Sequence, residues 1–254
     1  MLRNYHTHTA RCHHAQGEER EYVEQAIQAG MKTLGFSDHA PHVYPVPSDY
    51  QPHWCMSPAE MDGYVKTVRD LQKEYEKDIQ ILCGVELEYT PDFHGYEMAF
   101  LKQFGLDYIL LGQHFWGNIL SPVWVNQGND LFLNYYVSTA LSALATGDFA
   151  YIAHPDMAGY TFSEDAMKRE YRRLCEGAKR LGIPVEMNLL GIRENRWYTK
   201  EFFYKIAAEV GNDVILGVDA HSPSALGARS GEKDALELAR KTGVKLIDKL
   251  NFLK

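Results

Sequence analysis

Seven short apolar runs, near residues 2–6, 33–36, 79–87, 107–111, 149–153, 183–188 and 213–218, alternate with helical patterns along most of this chain. Runs of that length between amphipathic segments read as buried parallel strands joined by crossover helices, since parallel neighbours cannot be linked by a tight turn. Helix starts are legible as well. Ser57-Pro58-Ala59-Glu60 combines an N-cap, a proline at the first helical position and a capping-box glutamate. Ser163 before Glu164-Asp165 and Thr199 before Lys200-Glu201 are further N-cap candidates, and Gly30 and Gly182 stand where helices should stop. Seven such units in 254 residues predict an α/β fold with a closed or nearly closed parallel barrel, an open doubly wound sheet being the rival. With no linker, repeat or low-complexity tract in view, one domain spanning 1–254 is the simplest organisation.

Histidines and carboxylates mark the ends of these runs: His6-Thr7-His8, Ser37-Asp38-His39, Gly84-Val85-Glu86, Gly112-Gln113-His114, Ala153-His154-Pro155 and Asp219-Ala220-His221. In a barrel the C-terminal strand ends ring one mouth, whereas an open sheet spreads them along an edge, so this placement favours the barrel. Residues i and i+2 of a strand share a face, so His6 and His8 can converge on one ion, as can Asp219 and His221. Seven of the eleven histidines, with Glu86 and Asp219, occupy equivalent positions on successive units, which packing alone does not require. Imidazole and carboxylate together suit Zn²⁺, Mn²⁺ or Fe²⁺, and nine candidate ligands are too many for one ion and fit two or three. Such centres make hydroxide available at neutral pH and clamp both oxygens of a displacement at phosphorus, so phosphate-ester hydrolysis is the natural reaction class.

A formal charge of -8 without a Lys/Arg run disfavours binding to nucleic acid or an anionic membrane. Bound cations could still attract an anionic substrate. The four cysteines, Cys12, Cys55, Cys83 and Cys175, show no CxxC pair, the N-terminus lacks a basic segment followed by an apolar one, and no apolar stretch is long enough to cross a bilayer. A cytoplasmic protein is expected. Nothing predicts an oligomeric interface.

In their order, His6-Thr7-His8, the Cys12-His13-His14 segment, Ser37-Asp38-His39, Gly84-Val85-Glu86, Gly112-Gln113-His114-Phe115, Ala153-His154-Pro155-Asp156 and Asp219-Ala220-His221-Ser222-Pro223 resemble the motif set of the PHP (polymerase and histidinol phosphatase) family. The similarity runs from the first strand to the last, and is strongest to the stand-alone histidinol-phosphate phosphatases. That resemblance implies a distorted (β/α)7 TIM-like barrel with a trinuclear centre, acting on L-histidinol phosphate in histidine biosynthesis through a metal-bridging hydroxide. It implies that His6, His8, Glu86 and Asp219 hold one ion, Glu86, His114 and His154 a second, and His14, His39 and His221 a third. Many family members carry an aspartate where this chain offers His14, and the histidine is similar to the histidinol-phosphatase branch. The segment Glu186-Met187-Asn188-Leu189-Leu190-Gly191-Ile192-Arg193 resembles that branch's sixth-strand stretch, which implies that Arg193 contacts the substrate phosphate.

A guanidinium also suits phosphate geometry on general grounds, and Arg11, Arg196 or Arg229 could substitute for Arg193. His42, three residues past His39, is a candidate substrate contact or general acid, with a plain loop histidine as the other reading. Asp38 and Asp156, each adjacent to a candidate ligand, are expected to support the site rather than bind metal, while His13, His53 and His94 read as surface residues. Two insertions, 40–55 and 115–129, should rim the mouth. Their aromatics Tyr44, Tyr50, Trp54, Phe115, Trp116 and Trp124 read as a hydrophobic lid or as a wall for an imidazole, sugar or base. Histidinol carries an ammonium group, so an acidic pocket is expected, with Glu88, Asp92 and Glu194 as candidates. The alternatives are a phosphoesterase for another small metabolite or short nucleotide and, more distantly, an amidohydrolase, which would want a bridging lysine where this chain has Gln113-His114. A non-catalytic metal-binding domain would lack part of the ligand set.

Overall fold

Burial accounts for the elements of the computed structural model, which describes residues 1–43, 54–116, 123–227 and 231–250. The strands are β1 (Arg3–Asn4), β2 (Thr33–His39), β3 (Gln80–Leu87), β4 (Tyr108–Leu111), β5 (Phe115–Trp116), β6 (Val123–Trp124), β7 (Val185–Asn188), β8 (Asp213–Gly217) and β9 (Lys245–Ile247). Among the helices are α1 (Glu19–Gln28), α2 (Met61–Glu74), α3 (His94–Leu101), α4 (Asp130–Ala145), α5 (Glu164–Leu181), α6 (Leu189–Arg193) and α7 (Glu201–Val210). They cluster into two compact units, Met1–Ile109 with Val218–Ser230, and Leu110–Gly217 with Gly231–Lys254.

In the first unit β1, β2 and β3 are adjacent in that order and parallel. Every residue of β2 is buried, as is β3 from Ile81 onward, so these strands show continuous apolar runs rather than alternation. The β2–β3 register runs from Thr33↔Gln80 to His39↔Glu86, which carries one histidine and one carboxylate side by side to the C-terminal strand ends. Gly84 makes room for Tyr108: a Cβ there would stand 2.6 Å from the Tyr108 ring. The Tyr108 hydroxyl lies 2.7 Å from the carbonyl of Tyr5 and 2.8 Å from that of Phe36, tying the strands together from inside. The Ser57/Glu60 capping box forms, with the Ser57 N–H donating to Glu60 Oε2 at 2.8 Å, and leads through the turn Pro58–Glu60 into α2.

In the second unit β7, β8 and β9 are parallel and adjacent, with Val185 opposite Val214 and Asn188 opposite Gly217. Strand β9 lies beyond the seven runs expected. The run at 149–153, expected as a strand, is reduced to a bridge at Ile152 between Leu111 and Val185. Pairing stops there because the chain turns at His154, whose φ is 29°. Ser163 caps α5 by accepting from the Ala166 N–H, and Gly182 ends it in the left-handed conformation, as expected. Thr199 is not the cap of α7. Its backbone is left-handed, at φ 58°, and Lys200 holds the extended cap conformation instead. Within the 115–129 insertion, β5 and β6 pair antiparallel, Phe115 opposite Trp124. Among the described residues no helix is long and apolar enough to cross a membrane.

Candidate metal centre

The segments His6-Thr7-His8 and Asp219-Ala220-His221 lie side by side in the first unit. Thr7 bridges Ala220, the His8 N–H donates to the Ala220 carbonyl at 2.9 Å, and the Ala220 N–H donates to the His6 carbonyl at 3.3 Å. Asn4 fixes both partners: its Oδ1 accepts from the N–H groups of His6 and Val218, and its Nδ2 donates to Thr7 Oγ1. The Thr7 N–H in turn donates to Ser37 Oγ. Two i, i+2 pairs are thereby presented on neighbouring strand ends.

Their donor atoms converge. His6 Nε2 lies 3.1 Å from His8 Nε2, 3.4 Å from Glu86 Oε2 and 3.6 Å from Asp219 Oδ1. His8 Nε2 is 3.5 Å from Glu86 Oε2 and 3.1 Å from Asp219 Oδ1. Four ligand atoms at metal distance around one tetrahedral ion would be spaced about 3.3–3.6 Å apart. His6, His8 and Asp219 thus have the chemistry and the mutual spacing of a divalent-ion site, with Glu86 Oε2 within 3.5 Å of both imidazoles. His39 Nδ1 reaches Glu86 Oε2 at 3.2 Å, and His14, His39 and His221 form a further group whose donor atoms could share an ion.

Supporting contacts set the ring orientations. Asp38 accepts from the N–H groups of Thr9 and His39 and from the Thr9 hydroxyl, and its Oδ1 faces His8 Nδ1 at 3.6 Å, leaving His8 Nε2 for the cluster. His14 Nδ1 bonds the Cys12 carbonyl at 2.7 Å. Burial alone would push His8 down, but the carboxylates of Asp219 and Asp38 carry it up to about 9. Burial pushes Asp219 up, yet His6, His8 and His221 hold it well below the ordinary carboxylate range. Burial and the charge of His8 push His221 down to about 3. Asp219 sits at φ 50°, a left-handed backbone retained at the heart of the cluster.

The second unit presents His114 and His154 with ring centroids 4.7 Å apart. The His154 N–H donates to Glu186 Oε2 at 2.8 Å, and the same oxygen accepts from Asn188 Nδ2 at 2.8 Å. The Tyr151 hydroxyl donates to Glu186 Oε1 at 3.3 Å. Asn188 Oδ1 caps α6 through the Gly191 N–H, and α6 ends at the half-buried Arg193. One buried carboxylate thus connects the left-handed turn at His154 to the short helix that carries Arg193. Asp156 is structural: it accepts from the N–H groups of Thr199 and Lys200, both at 3.0 Å.

Around His42 lies a second set of groups. His42 is buried, with Nδ1 3.5 Å from Glu97 Oε1, and Trp54 packs 5.1 Å from its ring and 5.9 Å from that of His39. Burial pushes His42 down to about 3, and burial with the charge of Glu88 pushes Glu97 up to about 8. Glu88 is buried as the acidic-pocket reading requires, whereas Asp92 is exposed and the exposed Glu194 is paired with Arg196 at 2.8 Å. Arg11 is paired with Glu19 and lies 5.9 Å over the Tyr64 ring. His94, expected at the surface, is buried against Tyr89, ring centroids 4.9 Å apart, because the first turn of α3 faces inward. His13 is exposed. Phe115 packs on Trp124 at 4.8 Å, whereas Tyr44, Tyr50, His53, Arg229 and the side chain of Trp116 lie outside the described residues.

Sequence reasoning missed Asn4, Glu97 and the roles of Ser37 and Glu186. The available signal was a polar residue placed inside an apolar run, as in Asn4 and in the Glu186-x-Asn188 pair.

The PHP domain family model matches residues 4–189. A probable histidinol-phosphatase of Deinococcus radiodurans is 27% identical over 255 residues, 95% of this chain and 94% of the relative. The histidinol-phosphatase of Bacillus subtilis is 32% identical over 118 residues, 44% of each chain. Among solved structures, the histidinol phosphate phosphatase of Lactococcus lactis subsp. lactis, complexed with zinc, L-histidinol and phosphate, superposes with a TM-score of 0.73 at 15% identity, covering 97% of this chain and 95% of that one. That likeness shows the fold, the distorted TIM-like barrel class expected from the sequence.

Proposed function

Because the chain belongs to the PHP domain family and is a metal-dependent phosphatase of that type, we propose that its substrate is L-histidinol phosphate, hydrolysed to L-histidinol and phosphate in histidine biosynthesis. The observation that carries the metal chemistry is the set of five contacts among His6, His8, Glu86 and Asp219, all between 3.1 and 3.6 Å. The substrate assignment draws on the relatives' names and on the Lactococcus neighbour, which holds zinc, L-histidinol and phosphate.

In this reading His6, His8, Glu86 and Asp219 would hold one ion and His14, His39 and His221 another. The family resemblance assigns His114 and His154, whose rings lie 4.7 Å apart in the second unit, to a further ion. Two or three divalent ions of zinc, manganese or iron would supply positive charge to the phosphate oxygens and lower the cost of deprotonating water. The protein's part is to bind and orient. Arg193 offers a planar pair of N–H donors to the phosphate, and Glu186 and Asn188 hold the helix that carries it. His42, neutral near pH 7, is assigned to the substrate wall rather than to protonating the leaving alkoxide. Residues 1–254 act as one catalytic domain in this proposal, the family match extending into both compact units, and the enzyme works in the cytoplasm on a small phosphorylated metabolite.

Phosphate release from L-histidinol phosphate, an aryl phosphate and a dinucleotide, each with Mn²⁺- or Zn²⁺-loaded protein and a chelated control, tests this assignment. A strong chelator-sensitive preference for histidinol phosphate is expected. Equal slow release from all three would remove the biosynthetic assignment while leaving the phosphatase.

A further inference from the structure

Glu97 is a carboxylate buried without adequate compensation. Its side chain has 0% exposure, and among the described residues neither oxygen accepts a hydrogen bond. His42 Nδ1, 3.5 Å from Oε1, is too distant for a good hydrogen bond. A second buried acid, Glu88, stands close enough for its charge to act on Glu97. A buried carboxylate is normally paired or hydrogen-bonded, and one that lacks such partners calls for a cation.

The position of this group is informative. Glu88 follows the candidate ligand Glu86 by two residues, His42 follows His39 by three, and the Trp54 ring contacts both His39 and His42. The acidic group thus adjoins the candidate metal centre within the same unit. We infer that Glu97, with Glu88 and His42, forms a binding site for the ammonium group of the substrate. This rests on the histidinol phosphate reading given above. An ammonium carries three N–H donors, matched by two carboxylates and an imidazole nitrogen. In histidinol phosphate only two carbons separate the ester oxygen from the amine nitrogen, so phosphate and ammonium must occupy adjacent sites. The metals and Arg193 would recognise phosphate, and Glu97 would select the alcohol attached to it.

The test compares kcat/KM for L-histidinol phosphate with that for its des-amino analogue, 3-(imidazol-4-yl)propyl phosphate, in wild type, Glu97→Gln and Glu97→Asp. The wild type should favour the ammonium-bearing substrate, and Glu97→Gln should lower that ratio about tenfold to a hundredfold, the loss expected on removing a charge-assisted hydrogen bond. Glu97→Asp, which keeps the charge, should retain more of the ratio. Because each ratio is taken within one protein, a folding defect lowers both values and cancels. A ratio unchanged in Glu97→Gln would overturn the ammonium site while leaving the histidinol assignment standing. A wild-type ratio near one would overturn both.

Discussion

Asp219→Asn is expected to lose bound metal and turnover together, with kcat/KM falling about 10³-fold, or ~4 kcal/mol of transition-state stabilisation. Asparagine matches aspartate in shape and is among the residues that tolerate the left-handed backbone, so the φ of 50° at this position can persist. What disappears is the negative charge. Asp219 Oδ1 lies 3.1 Å from His8 Nε2, 3.6 Å from His6 Nε2 and 3.4 Å from His221 Nδ1, so one carboxylate serves three imidazoles that would otherwise face each other. An amide turned toward a cation can offer only a neutral oxygen. Elemental analysis of the purified variant alongside its kinetics checks the expectation. Normal turnover would sink the assigned site, and normal metal content with lost turnover would make Asp219 a participant in the reaction but not a required ligand.

The largest expected effect on stability is at Gly217, in β8. A Cβ there would stand 1.7 Å from Glu186 Oε1, deep in a core where Glu186 has 0% exposure. The carboxylate cannot move without releasing the Tyr151 hydroxyl, the His154 N–H and Asn188 Nδ2, all of them buried donors. Gly217→Ala should therefore cost about 3 kcal/mol from overpacking and lost hydrogen bonds. For a chain of this size that corresponds to a drop of roughly 6–12 °C in Tm. Gly63→Ala is the matched control. Gly63 lies on the exposed face of α2, where an added methyl would meet nothing within 4 Å, and alanine there should stabilise by up to ~1 kcal/mol. Equal melting temperatures for Gly217→Ala and wild type would show that Glu186 is not held as described.

The same residues show where sequence reasoning succeeds and where it stops. Because β2 and β3 are buried on both faces, their apolar runs stand out, and the polar residues closing them, His39 and Glu86, are conspicuous by contrast. The i, i+2 rule then brings His6 with His8 and Asp219 with His221 on spacing alone. Single-residue geometry is not legible in this way. The run at 149–153 has strand composition, yet the turn at His154 cuts its pairing short, and Thr199 has the residue type of a cap but the wrong backbone. Supporting groups are the least visible. Asn4 and Glu186 are polar residues inside apolar runs, and only their partners, 214 residues away for Asn4 with Val218 and 32 for Glu186 with His154, explain why they are there. Glu97 sits on α3, a helix with little amphipathic contrast, so nothing in its spacing distinguishes a buried acid from a solvated one.

The clustered imidazoles and carboxylates are assigned as a metal centre that carries out phosphate-ester hydrolysis. Its most direct test is to strip the protein with a chelator, titrate Zn²⁺ or Mn²⁺ back while measuring bound metal, and follow phosphate release from L-histidinol phosphate at each point. The stripped protein should be inactive and regain activity in step with the binding of two or three ions per chain. Full activity in the stripped protein, or metal binding that leaves activity unchanged, would contradict this assignment.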